Sequence, residues 1–460
     1  MTVYNISAGY HDTTTTGSGN YKSWYDVSQL SLTGSDTVTL LGGITFSDNP
    51  AIINLNGATF NGNNYEIRYG KSLTITGLFK LTGGSITNLN INGFYNYTKN
   101  ITNATLLDTA STQYYGSLSN ISIKGVRTQQ YKGGFGINFG DDAQSQSTIT
   151  DCQILDYTLG NGTYNSDQRS GGFFYAIENV KYLRCKSDCI VDGSDHCAPY
   201  GHSCTETNTF EKCVSIIEPK NDTANTKFIG GMIVGSGLSG DICNFAECYI
   251  RFKGALTSGN DYTAGLAVDM AGSSTYNVVN WYIVFDDVNS KPGGGFYTYW
   301  NGSTTLNVEN TYVYLGGTIG SDFGTIFRGG TGTITANFYD LYSNEDLTVT
   351  KGGGTVSYGA LEINGSDQGS ISTYNTTGSN TSNFTNTTIP AGWSTNSVYY
   401  SVDPGLQWTA GGSTNLYHTN KAFENTTYWA DYSDYLDTPR LKKTVKINLY
   451  KLKIRKLASY

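Results

Sequence analysis

Charge, helical patterning and long apolar runs are all scarce in this chain of 460 residues. Asp, Glu, Lys and Arg together make up 14%, against roughly 25% in ordinary soluble domains. No run of 18 apolar residues occurs, so no membrane-spanning helix is predicted. The opening MTVYNISAGYHDTTTTGSG has neither a basic n-region nor an apolar h-region, and the expectation is a chain made without a cleaved secretory signal. Only 7 prolines are present, and Leu-, Ala- or Glu-rich helical patterning is nearly missing. Gly (56) and Tyr (36) are abundant instead, with many Thr, Ser and Asn residues. That profile predicts an all-β protein with many turns and a neutral polar surface suited to packing or carbohydrate contact.

The net charge of −8 is unevenly placed. After Asp437 come Arg440, Lys442, Lys443, Lys446, Lys451, Lys453, Arg455 and Lys456 with no acid, leaving 21 bases against 37 acids before them. An acidic body of −16 argues against nucleic-acid binding by the main fold. In the tail, Val445, Ile447 and Leu449, then Leu452 and Ile454, alternate with basic residues. This period of two suits an added strand or an extended arm, either covering its own body or docking on another subunit, an acidic partner or an anionic membrane.

What is present in quantity is repetition. A six-residue pattern (apolar, any, polar, apolar or Cys, any, apolar) starts at Ile86, Leu118, Ile149, Val180, Phe210, Phe245, Val278 and Val308. Its steps are 32, 31, 31, 30, 35, 33 and 30 residues. A fixed period of this size indicates a stacked repeat in which each unit buries its apolar face on the next. A Gly-Gly-apolar step runs in register upstream, at Gly133-Gly134-Phe135, Gly171-Gly172-Phe173, Gly230-Gly231-Met232 and Gly294-Gly295-Phe296, with Ala264-Gly265-Leu266 as a variant. Gly at a fixed place marks a coil corner that needs positive φ or close backbone approach. Three short strands per turn, stacked about 4.8 Å apart, close such a unit into a prism. About ten coils between residues 40 and 345 would form a rod on the order of 50 Å long. Leu89, Ile121, Cys152 and Leu183 are expected to face one continuous interior. The expected segments are an N-terminal cap (1–40), a parallel β-helix (41–348), a C-terminal β or cap region with a low-complexity stretch (349–438) and the basic arm (439–460).

The Gly-Gly-Phe step followed by Asn-x-Cys, together with NGATFNGNNYEIRY (Asn56 to Tyr69) and GGSITNLNI (Gly83 to Ile91), resembles the GLUG-type repeats of right-handed parallel β-helices in the pectin-lyase-like superfamily. The resemblance covers residues 40–345 and implies a right-handed parallel β-helix solenoid. It does not select a function, because that fold serves lyases, hydrolases, adhesins, phage tailspikes and viral structural proteins. With the signal-free start, the Thr/Asn/Tyr/Gly richness and the basic arm, the chain is most similar to a virion protein of a large double-stranded DNA virus.

A polygalacturonase-type enzyme is similar at Gly140-Asp141-Asp142, Gly201-His202-Ser203 and Arg251-Phe252-Lys253, where paired carboxylates would protonate the leaving oxygen and activate water. The Asn-Thr-Asp that should precede them is missing, and Asp141 and Asp142 stand about two coils from His202. Asp188, Asp192 and Asp195 offer calcium-type oxygen ligands but lie along one coil. His196, Cys197, His202 and Cys204 have zinc chemistry at an unfamiliar spacing; a Cys197–Cys204 disulfide and an ordinary loop are the alternatives. Cys152, Cys185, Cys213 and Cys248 fall in inward slots and are expected as buried thiols, with structural disulfides as the alternative. The sequence therefore favours a non-enzymatic structural component of a virion shell or surface, with no cofactor. Its expected partners are other capsid or structural proteins, in a homo- or hetero-oligomer. A glycan-contacting adhesin and a polysaccharide lyase or glycoside hydrolase are the rival expectations.

Overall fold

The computed structural model describes most of residues 2–363, short stretches excepted, and beyond them 366–367, 374–375, 380–381, 407–410 and 413–416. Most of the expected C-terminal region and the whole basic arm (Arg440, Lys442, Lys443, Lys446, Lys451, Lys453, Arg455 and Lys456) lie outside the described residues, as do Asp142 and Asp195.

The chain winds into an all-β, right-handed parallel solenoid of about nine turns. Each strand pairs in parallel with its equivalent one turn away: Tyr115–Lys124 lies between Thr82–Asn92 on one side and Ser147–Thr150 with Gln153–Leu159 on the other. The first apolar position of the repeat forms one unbroken register. It runs Val38, Phe60, Ile86, Leu118, Ile149, Tyr182, Phe210, Phe245, Val278 and Val308. Every member of that column is buried. Tyr182, Phe210 and Phe245 stack ring on ring at 5.0 and 4.7 Å.

One coil departs from the expected alignment. Ile149 pairs with Tyr182, while Val180 pairs with Ser147. The interior slot below Cys152 is therefore filled by Cys185, and Leu183 is only half-buried. The cause is the third, polar position of the pattern, which is a corner. Asn88, Asn120, Asp151, Arg184 and Lys212 all have φ between 53° and 55°, the left-handed region that short polar side chains tolerate best. Stacked corners satisfy each other: Asn120 Nδ2 donates to Asn88 Oδ1 at 2.8 Å, and Arg184 donates to both Asp151 carboxylate oxygens at 2.8 and 3.2 Å. Aligning Arg184 with Asp151 moves the strand start by two residues.

The Gly-Gly step is a second aligned corner, and close approach rather than positive φ explains it. A Cβ on Gly172 would sit 2.0 Å from Pro199 O, and one on Gly231 would sit 1.9 Å from Gly265 O. The next residue points inward, so Phe135, Phe173 and Tyr200 stack at 4.7 and 5.1 Å. Ala198-Pro199-Tyr200 is a member of this series that lacks the glycines.

In-register pairing starts before residue 41. Val3–Ile6 pairs with Thr37–Leu40, and Gly9–His11 pairs with Ile44–Phe46. At the far end Thr355–Ile363 pairs with Thr333–Ser343. A short helix, Trp24–Ser28, closes the N-terminal end of the interior. Ser23 and Asp26 form its capping box. Trp24 is fully buried against Phe46, Phe60 and Phe79, with ring centroids at 5.2, 5.8 and 5.4 Å, and its Nε1 donates to Ala51 O at 2.7 Å. That plug keeps water off an interior that would otherwise be open at its first coil.

Truncating the column should therefore cost far more than truncating the half-buried neighbour. Phe210→Ala is expected to lose about 3–5 kcal/mol and Leu183→Ala no more than about 1.5 kcal/mol. Urea unfolding of the two variants measures the contrast.

Candidate functional site: an aromatic seam beside the Gly-Gly corner

The strand leading into the Gly-Gly corner alternates inward and outward residues. Ser170, Cys197, Ile229 and Thr263 face the interior, so the residues before them, Arg169, His196, Phe228 and Tyr262, stand on the outer side in one register, His196 itself buried among its neighbours. Tyr131 heads the same column, its N–H donating to Arg169 O at 2.7 Å. The strand leaving the corner contributes Tyr175 and His202, one turn apart. Because the corner is tight, the two columns meet along a seam. Tyr131 lies edge-on to Tyr175 at 5.5 Å, and Tyr175 stacks on His202 at 4.8 Å. His202 meets His196 at 6.0 Å, His196 stacks on Phe228 at 4.2 Å, and Phe228 stacks on Tyr262 at 4.9 Å. The Arg328 guanidinium caps the Tyr262 ring at 4.3 Å from its centroid.

Burial controls the electrostatics of this seam. Both ring nitrogens of His202 lie away from solvent without a hydrogen-bond partner, as do the Nε atoms of Arg169 and Arg328. Burial, reinforced by the neighbouring His196 and Arg169, lowers the His202 pKa to about 3. Burial likewise raises Tyr175. His202 is therefore neutral at ordinary pH, and the seam offers ring edges, guanidinium groups and an uncharged imidazole. Such a set suits stacking and hydrogen bonding.

The residues singled out as an enzyme-like trio do not come together. Asp141 follows the strand Gly136–Gly140, and its Oδ1 accepts from Ala143 N at 3.0 Å, a loop start. Gly140 registers with Glu178 and then Thr205. Asp141 is thus displaced from His202 by two turns and four residues, about 16 Å from the rung and residue spacings, beyond the span that paired glycosidase groups bridge. Arg251 is engaged with Asp286 at 2.8 and 3.0 Å.

The zinc-type set also divides. Cys197 and Cys204 point into the dry interior, with Cys197 Sγ 3.7 Å from Phe228 O, whereas His196 and His202 belong to the seam. Among the described residues no three His, Cys, Asp or Glu side chains converge as a metal site. All eight cysteines are buried thiols outside any disulfide, Cys197 and Cys204 included. For the calcium-type acids, Asp192 is buried and accepts from Arg127 at 3.2 Å and Lys220 at 3.3 Å, and Asp188 pairs with Lys186 at 3.8 Å.

The seam has a signal in the sequence that motif searching passes over. Tyr131, Arg169, His196, Phe228 and Tyr262 each stand two residues before the first residue of a Gly-Gly-type step, and Tyr175, His202 and Arg328 stand two after its apolar residue. No family model, curated protein or solved structure matches this chain, so the site rests on its own geometry.

The His202 environment predicts acid sensitivity. The imidazole is held neutral in the fold but takes a proton in the unfolded chain below its ordinary pKa of about 6.5. Its contribution is fully present above pH 6.5 and is lost as the pH falls toward 3, at up to about 1.4 kcal/mol per pH unit. His202→Phe keeps the ring against Tyr175 and should flatten the dependence of unfolding free energy between pH 6.5 and 4.5. An unchanged slope would show that His202 does not titrate with folding.

Proposed function

We propose that this chain is a structural, non-catalytic component of a virion shell or its surface, acting through the lateral faces of a rigid rod. The observation that supports this best is the repetition of neutral side-chain ladders along those faces. Asn244, Asn277, Asn307 and Asn337 pass one amide hydrogen bond after another at 2.8, 2.8 and 2.7 Å. Thr59 with Ser85, Thr87 with Ser119, and Ser117 with Thr148 do the same through hydroxyls at 3.1, 3.0 and 3.0 Å. Groups already bonded to each other along the axis need little further solvation, so a neighbour can cover them at small desolvation cost. In this reading the basic arm ties the rod to acidic neighbours.

Removing residues 440–460 tests this reading. The full chain should sediment as an oligomer at micromolar concentration and the truncated chain as a monomer. Identical sedimentation of the two would remove the arm from assembly, and cleavage of any polysaccharide by the purified chain would overturn the non-catalytic role.

The seam favours a second reading, a glycan-contacting surface, because Tyr131, 37% exposed, begins a line of rings against which sugar faces can stack. Under it, Tyr131→Ala combined with Tyr262→Ala should weaken retention on immobilised glycans at least tenfold with the fold intact by circular dichroism. Equal retention removes the seam from binding.

A further inference from the structure

The interior slot after the left-handed corner carries Ile121, then Cys152, Cys185, Cys213 and Cys248, then Trp281 on successive turns. The flanking pairs Ser122 with Gln153, Gln153 with Lys186, Lys186 with Val214, Val214 with Tyr249, and Tyr249 with Tyr282 fix that register. All four cysteines are fully buried thiols that no disulfide joins. Parallel neighbours in register lie about 4.8 Å apart, inside the range of about 4.4–6.8 Å that a disulfide accepts between Cα atoms. Their thiols lie along the backbone of this corner, Cys152 donating to Thr150 O at 3.4 Å, Cys185 to Ile149 O at 3.2 Å, Cys213 to Glu211 O at 3.4 Å and Cys248 to Phe210 O at 3.5 Å. The Tyr200 hydroxyl lies 2.8 Å from both the Cys185 and Val214 carbonyls. From there it holds two of these turns at a fixed height. A small apolar side chain would fill each slot as well, so packing alone does not require sulfur on four consecutive turns.

We propose that this column is a modification site at which a hydroperoxide joins adjacent cysteines into a disulfide between turns. One thiol sulfur attacks a peroxide oxygen, the O–O bond breaks, and a sulfenic acid and one water form with hydrogen peroxide as oxidant. The adjacent thiol sulfur then displaces that hydroxyl as a second water and the S–S bond closes. Two thiols lose two electrons and two protons, and one peroxide becomes two waters. A small neutral oxidant suits an interior that larger disulfide reagents cannot enter. Burial pushes the Cys185 thiol up, which makes attack by that sulfur slow. Once made, the link adds a covalent tie at a level where successive turns otherwise meet through hydrogen bonds and packing. The inference rests on register and chemistry and is independent of the virion reading.

The test treats the full chain with hydrogen peroxide under native conditions, removes the oxidant, unfolds it in an alkylating reagent and maps the peptides by mass spectrometry. The expected result is a linked peptide pair joining neighbours in the column: Cys152 with Cys185, Cys185 with Cys213, or Cys213 with Cys248. A higher melting temperature than the untreated chain should accompany it, reversed by dithiothreitol. Eight alkylated cysteines after exposure would overturn the proposal. So would links between cysteines that are not adjacent in the column, or oxidation that ends in sulfinic acid without a link. The mapping uses the unaltered chain and does not depend on any variant folding.

Discussion

The parallel hydrogen-bond register between one turn and the next is the constraint from which the rest of this structure follows. Once Ile86 pairs with Leu118 and Leu118 with Ile149, every other slot on those turns is fixed, because the side-chain period along a strand is two. Apolar slots then form continuous columns, corner residues meet corner residues, and outward residues line up as ladders. A single turn of about 31 residues cannot stand alone. It loses roughly 1–2 kcal/mol per residue in backbone entropy, while each buried side chain returns only about 1.5–3 kcal/mol. Stacking shares each apolar face with two neighbours. Trp24 closes the first of those faces, which the next turn alone would leave half open.

That same periodicity made most of the fold legible in the sequence. Segments such as ITNLNI and LSNISI carry their slots in plain view, and their stacking is as expected. The coil containing VKYLRC is instructive because hydrophobicity alone places Val180 in the slot that Tyr182 fills. Both are buried, so an apolar template cannot separate them. The corner can, since Arg184 takes a left-handed φ of 54° with its guanidinium on Asp151. A charged residue at that position hides the pattern that Asn and Asp display at the other corners. Ala198-Pro199-Tyr200 was hidden for a related reason: its backbone fits the corner without glycine, so the marker vanished while the geometry stayed.

The candidate site was much less legible. Short motifs such as Gly-Asp-Asp and Gly-His-Ser look alike in a line of letters, but their use depends on which turn they occupy and which way they face. Asp141 and His202 fall on turns two apart, and Cys197 and Cys204 turn inward while His196 and His202 turn outward. The seam arises from the converse effect. Residues of unlike type, separated by about one period, become neighbours only when the coils stack, and only their fixed offset from the Gly-Gly step marks them. Unpartnered nitrogens on His202, Arg169 and Arg328 gather in it polar demand that the surrounding apolar architecture leaves unmet.

The most direct measurement of the stacked interior is an experimental electron-density map at side-chain resolution over residues 118–252. It should show Ile121, Cys152, Cys185 and Cys213 one above another at about 4.8 Å spacing, with Leu183 beside the interior and Arg184 at the corner. A map in which Leu183 fills the slot, or in which these four side chains do not lie in one column, would contradict the register from which every later inference is built.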